Sequence, residues 1–192
     1  MIPDDIHLAG SPFVILLGKL DTWYANMSSA LKMNDLSMYI HKETNMLGPV
    51  FFLNVAYHAA VFDLTRISLY GFDFPLAAAV RQAPEPFQQE CQRRCRHHAD
   101  EVSRLIRLGL KHGTKSFDDP FCFTAAYEAS KIQIVHATTI SPREQFTSAQ
   151  AEANIRTNTQ LMSLMGRSGS SVHVRTRSIE IASHANDATN RT

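Results

Sequence analysis

Cys91, Cys95 and His98 stand four and three residues apart, so a helix would bring them to one face, and thiolate and imidazole are the ligand types that zinc takes. A structural zinc wants a fourth ligand, and Cys122 is the remaining thiol that could supply it. The same register also carries Phe87, Val102 and Ile106. An apolar stripe therefore explains the spacing already, and a buried free cysteine behaves as a small hydrophobe. We read all three as core and expect neither a bound metal nor a cofactor. The adjacent His97 falls on another face and reads as solvated.

His58 and His136 have the chemistry of general bases, yet neither lies in a recognisable motif with a nucleophile and an acid, and both read as core or rim histidines. The sequence holds no Gly-rich phosphate loop, no GxSxG elbow, no HExxH and no carboxylates at calcium spacing. We expect no enzymatic activity. Trp23, Tyr24, Phe51, Phe52, Tyr57, Phe62, Phe72 and Phe74 read first as core, with a regulatory pocket between helices as the other role open to some of them.

The elements that would carry these residues are helical. Met46 to Ala77 is an apolar block in which one face reads Phe51, Val55, His58 and Phe62 and the next reads Leu53, Tyr57, Val61 and Leu64. A helix apolar over most of its circumference must sit at the centre of the fold. Asp63 and Arg66 can pair late in this helix, and Gly71 and Pro75 stop it. Ser11-Pro12 starts an earlier helix striped by Phe13, Leu16, Leu17, Leu20, Trp23, Tyr24, Met27 and Leu31. Lys32 to Asn45 reads as a connection anchored by Met38, Tyr39 and Ile40. After the central helix comes a turn and a short packed element.

A third helix runs from about Pro86 to His112, where Gly113 ends it, with acid–base pairs Glu90–Arg94 and Asp100–Arg104 on its outer face. Asp118, Asp119 and Pro120 open a fourth, and Ser141, Pro142 and Glu144 form a capping box for a fifth. The stripe of the fifth, Phe146, Ile155, Leu161, Leu164 and Met165, is thin enough to suggest a face that awaits a partner. Residues 1–165 are thus expected to form an all-α domain of about five main helices packed irregularly. Residues 166–192, opening with GRSGSS, read as a flexible, disordered polar tail in which Val172, Val174, Ile179 and Ile181 alternate without a partner strand.

At 192 residues and 44% hydrophobic content, one sizeable core can be buried without staples. The formal charge of +1 gives the whole chain no pull toward nucleic acid or membrane. Arg81 to Lys115 does hold eight Lys and Arg against four Asp and Glu, which we read as a solvated basic face. Three cysteines are a sparse, odd set, pointing to reduced thiols in cytosol or nucleus. Acids open the chain where an export signal needs positive charge, so a soluble intracellular protein is expected.

FVILLGKLDTWYANM, MYIHKETNMLGPVFFLNVAYHAAVFDLTRISLYGFDFPLA and CQRRCRHHADEVSRLIRLGLKHG resemble the C-terminal part of the fungal-specific transcription factor domain, the middle homology region of fungal zinc binuclear cluster factors. The likeness spans roughly Phe13 to Ile140 and is most specific from Met38 to Ala77. It implies a non-catalytic helical region that governs a nuclear regulator of RNA polymerase II transcription through a small-molecule effector, intramolecular inhibition or protein partners, self-association among them. It also implies a chain that begins inside the family's domain. The family's DNA-binding module needs six cysteines in a C-x2-C-x6-C type pattern, and here there are three with no C-x2-C. DNA would be reached only indirectly, through a zinc cluster module that is not in this sequence. A stand-alone helical interaction or ligand-binding module is the alternative.

Overall fold

The computed structural model describes residues 5–72, 74–117, 119–140 and 145–168. Among them it is all-α, with seven α-helices and no strand. The two helices beyond the expected five are short. They are α2 (Asp35–Glu43), inside the stretch read as a connection, and α4 (Ala77–Gln82), the short packed element.

Ser11 caps α1 (Pro12–Ala25), its Oγ accepting from the Val14 amide at 3.2 Å while its hydroxyl donates to the Ile6 carbonyl at 2.7 Å. Phe13 and Leu17 are buried, but Leu16 and Trp23, expected in the same stripe, are each 45% exposed. In α2 the cap is reciprocal. Asn34 Oδ1 accepts from the Ser37 amide and Ser37 Oγ accepts from the Asn34 amide. An Asn-x-x-Ser box is an uncommon spelling of that motif, and α2 buries Met38 while leaving Leu36, Tyr39 and Ile40 in solvent, so neither end signal nor stripe marked it as a helix.

The central helix is α3 (Leu47–Thr65), continued by a 3₁₀ turn to Ser68. Phe51, Val55, Val61 and Phe62 are essentially inaccessible. By length and composition alone Leu47–Ser68 would suit a membrane span; its burial against α5 and α6 accounts for the apolar circumference. Asn54, fully buried within it, donates to the Leu31 and Val50 carbonyls and accepts from the Met33 amide, tying the α1–α2 connection to the core. Asp63 pairs with Arg66 as expected, at 3.2 Å.

The longest helix is α5 (Glu85–His112), ended by Gly113 at φ +97°. Its stripe Cys91, Cys95, His98, Val102, Leu105, Ile106 and Gly109 is buried. Gly109 is required by contact, because a Cβ there would lie 2.8 Å from Phe117 and 2.9 Å from Phe51. The outer-face pairs differ from expectation. Glu90 bonds Arg93 and Glu101 bonds Arg104, which releases Arg94 for Asp21 of α1, at 2.5 Å, and Asp100 for neighbours on α6 and α7.

Asp119 Oδ1 accepts from the Phe121 amide to open α6 (Phe121–Val135), which runs into a π turn at His136–Ile140. The last helix, α7 (Gln145–Ser168), continues three residues past the expected end of the domain. Its thin apolar stripe does not mean an exposed face. Asn154 and Asn158 are buried beside Leu161 and Met162, with Asn154 donating to Asp100 and Asn158 donating to Ser103 and Ser130. Asp118, the Ser141-Pro142-Glu144 box and the tail from residue 169 onward lie outside the described residues.

Candidate functional site

One cleft, of about 360 Å³, opens where α1, α3 and α5 meet. Helix α1 supplies Asp21 and Tyr24, α3 supplies Tyr57 and His58, and α5 supplies Arg93, Arg94, His97 and His98. Helical geometry explains the grouping. Asp21 and Tyr24 are three apart, Tyr57 and His58 adjacent, and 93/97 and 94/98 form two rows four apart on α5, so each helix brings a contiguous patch to the cleft, with Arg93 and His97 at its exposed rim. The Tyr24 and Tyr57 rings stack at 3.9 Å and 2°, with Trp23 at 6.1 Å from Tyr57.

At the floor, His58 Nδ1 and His98 Nδ1 lie 2.9 Å apart. One proton must sit between them, so one ring donates and the other accepts. His58 Nε2 is buried without a partner, and a buried orphan N–H is rarer than an under-used acceptor. The tautomers that avoid it have His58 donating Nδ1–H to His98, which then carries its own proton on Nε2. Burial, reinforced by His98, His97 and Arg104, holds His58 far below the ordinary imidazole value of 6.5. Burial together with His97 and Arg94 lowers His98 likewise, so the pair is neutral near pH 7. Burial also pushes Tyr57 up to about 12, with the Asp21 carboxylate adding to it.

His98, in register with the cysteines, is therefore half of a cross-helix pair as well as core. The signal was present in the sequence, since His58 and His98 each lie on the buried face of a helix that had to pack centrally. What the spacing could not say is that the two faces meet at that level. Cys91 and Cys95 are core, as read: Cys95 Sγ donates to the Phe62 carbonyl at 3.8 Å, and burial raises both thiols, Cys91 to about 12, which keeps them protonated. Cys122 is buried among α6 side chains in the main core. Among the described residues no group of three or more His, Cys, Asp or Glu is arranged to hold a metal ion. His136 is buried away from the cleft, in a pocket of about 10 Å³ with Arg96, Asp100 and Gln133, room for a single water.

No family model, no curated protein and no solved structure matches this chain.

Proposed function

We propose that this chain is a helical regulatory region of a fungal transcription factor, acting in the nucleus on RNA polymerase II transcription and reaching DNA through a zinc cluster module outside these 192 residues. The resemblance from Met38 to Ala77 supplies the class. The observation that supports an effector-responsive role is the cleft at the α1–α3–α5 junction. A small molecule seated there touches three helices at once, so its binding energy bears directly on how α1 sits against the core. The reading is non-catalytic: the His58–His98 pair is held neutral and bonded to itself, which suits a fixed floor better than a proton-transferring base.

The test is a fusion of residues 1–165 to a heterologous DNA-binding domain in a fungal host, with reporter output followed across carbon and nitrogen sources. Output that departs from the DNA-binding domain alone in at least one condition is the expected result. Output indistinguishable from it in every condition overturns the reading.

A stand-alone interaction module is the second reading, favoured by the apolar side chains that α1 and α2 leave in solvent: Ile15, Leu16 and Trp23 on the one, Leu36, Tyr39 and Ile40 on the other. Concentration-dependent self-association in light scattering, together with a silent reporter, would support it over the first.

A further inference from the structure

The cleft's lining has a chemical bias. Among the described residues Asp21 is its one carboxylate, against two guanidiniums and three imidazoles. Arg94 makes a single hydrogen bond among the described residues, to Asp21, and its Nε–H is buried without a partner there. Arg93 spends Nε and Nη2 on Glu90 and keeps Nη1. His97 sits one turn from Arg93 on the same row of α5, and His98, bonded to His58 through Nδ1, offers Nε2–H as a donor in the tautomers assigned to the pair. Nitrogen donors thus outnumber the oxygens available to accept from them. A guest that brings oxygen acceptors and negative charge corrects both imbalances, because hydrogen bonds between guanidinium and oxyanion are charge-assisted and among the stronger ones. A cation would meet Asp21 alone, already bonded to Arg94.

We propose that the cleft binds a small dianionic oxyanion, a phosphate monoester or a dicarboxylic acid, through Arg93, Arg94 and His97, with His98 Nε2–H as a further donor. The volume, about 360 Å³, lies at the lower end of small-molecule sites and suits a compact metabolite. This proposal rests on the effector reading of the same cleft and names the chemistry of the effector.

Trp23 is the only tryptophan and lies 6.1 Å from the Tyr57 ring that walls the cleft, so intrinsic fluorescence reports occupancy. The full chain is titrated with inorganic phosphate, with succinate and with acetate at constant ionic strength, and the heats are measured in parallel. Saturable binding of phosphate or succinate with a dissociation constant of about 1 mM or tighter is expected, with acetate much weaker. The tighter of the first two identifies the ester or the dicarboxylate. Arg93→Gln and His97→Ala should each weaken that binding about tenfold. Arg93 is 67% exposed and pairs only within its own helix, so its replacement leaves the fold intact, which an unchanged melting curve verifies. Absence of saturation by both dianions, or binding indifferent to both substitutions, overturns the proposal. Because binding is measured without DNA or reporter, a chain that binds succinate yet leaves the reporter silent overturns the transcriptional reading alone. A reporter that responds while neither dianion binds overturns the ligand class alone.

Discussion

His58 and His98 are buried as neutral rings, and the charged groups and further imidazole that face them come from α1 and α5: Asp21 on α1, and Arg93, Arg94, His97 and Arg104 on α5. Their folded values lie below the unfolded value of 6.5, so on the acid side the unfolded chain binds more protons than the folded one. The stability they contribute is complete above pH 6.5 and is lost progressively as pH falls below it toward their lowered values. Urea melts between pH 7.5 and 5 should lose up to about 1.4 kcal/mol per pH unit for each group that titrates. His58→Leu should flatten that slope while lowering stability at pH 7.5, since it leaves the His98 Nδ1 without its partner. A slope unchanged in His58→Leu would mean that other groups carry the acid sensitivity. The residue types and registers of this pair were legible in the sequence, whereas its pairing was not, because it joins positions 40 residues apart whose meeting depends on the axial offset of α3 against α5.

At the scale of elements, legibility tracked how each helix pays for its burial. Helix α3 does so with hydrocarbon, and its central place could be read directly. Phe62 is 1% exposed between α3 and the helices packed on it, so Phe62→Ala should cost about 3–5 kcal/mol in denaturant melts, against less than about 0.5 kcal/mol for Arg156→Ala on the outer face of α7. Helix α7 is the opposite case. Its buried face sets the amides Asn154 and Asn158 in the register between Ala151 and the Leu161–Met162 pair, so a search for apolar periodicity finds little, and an expectation of exposure follows from a face that is in fact packed. Asn158 Nδ2 donates to Ser103 Oγ and Ser130 Oγ at 3.0 Å each, linking α7 to α5 and α6. Asn158→Leu adds apolar surface but removes the donor shared by two buried hydroxyls, leaving Ser103 and Ser130 with their bonds to the Ala99 and Ala126 carbonyls and an apolar group where the amide stood. A loss of about 1–3 kcal/mol is expected, where a simple hydrophobic tally predicts a gain. Helix α2 escaped notice for a third reason, since it is held by its cap and by Met38 rather than by a stripe.

Across the described residues the apolar interior divides in two. The larger cluster joins α2, α3, α5, α6 and α7 around Phe51, Phe62, Leu105, Ile106 and Ile132. The smaller one gathers Phe13 and Leu17 of α1 with Tyr57, Val61, Val80 and Cys91, so α1 is held by a satellite of the core together with the Arg94–Asp21 ion pair. That partition makes α1 the element whose local opening costs least relative to global unfolding, because its release sacrifices only the smaller cluster. The cleft is built across the same seam, which couples its shape to the docking of α1. Leu17→Ala, which truncates a side chain 8% exposed in the satellite cluster, should therefore act unevenly. The local cost is about 2–5 kcal/mol. Hydrogen exchange should accelerate across residues 12–25 while the amides of α3 keep most of their protection, and Trp23 emission should shift to the red. Phosphate or succinate binding should weaken in step, since the Tyr24 wall that encloses the guest leaves with α1. Uniform loss of protection over α1, α3 and α5 would show instead that the two clusters unfold as one unit, and the cleft would then be a fixed feature of a single cooperative core.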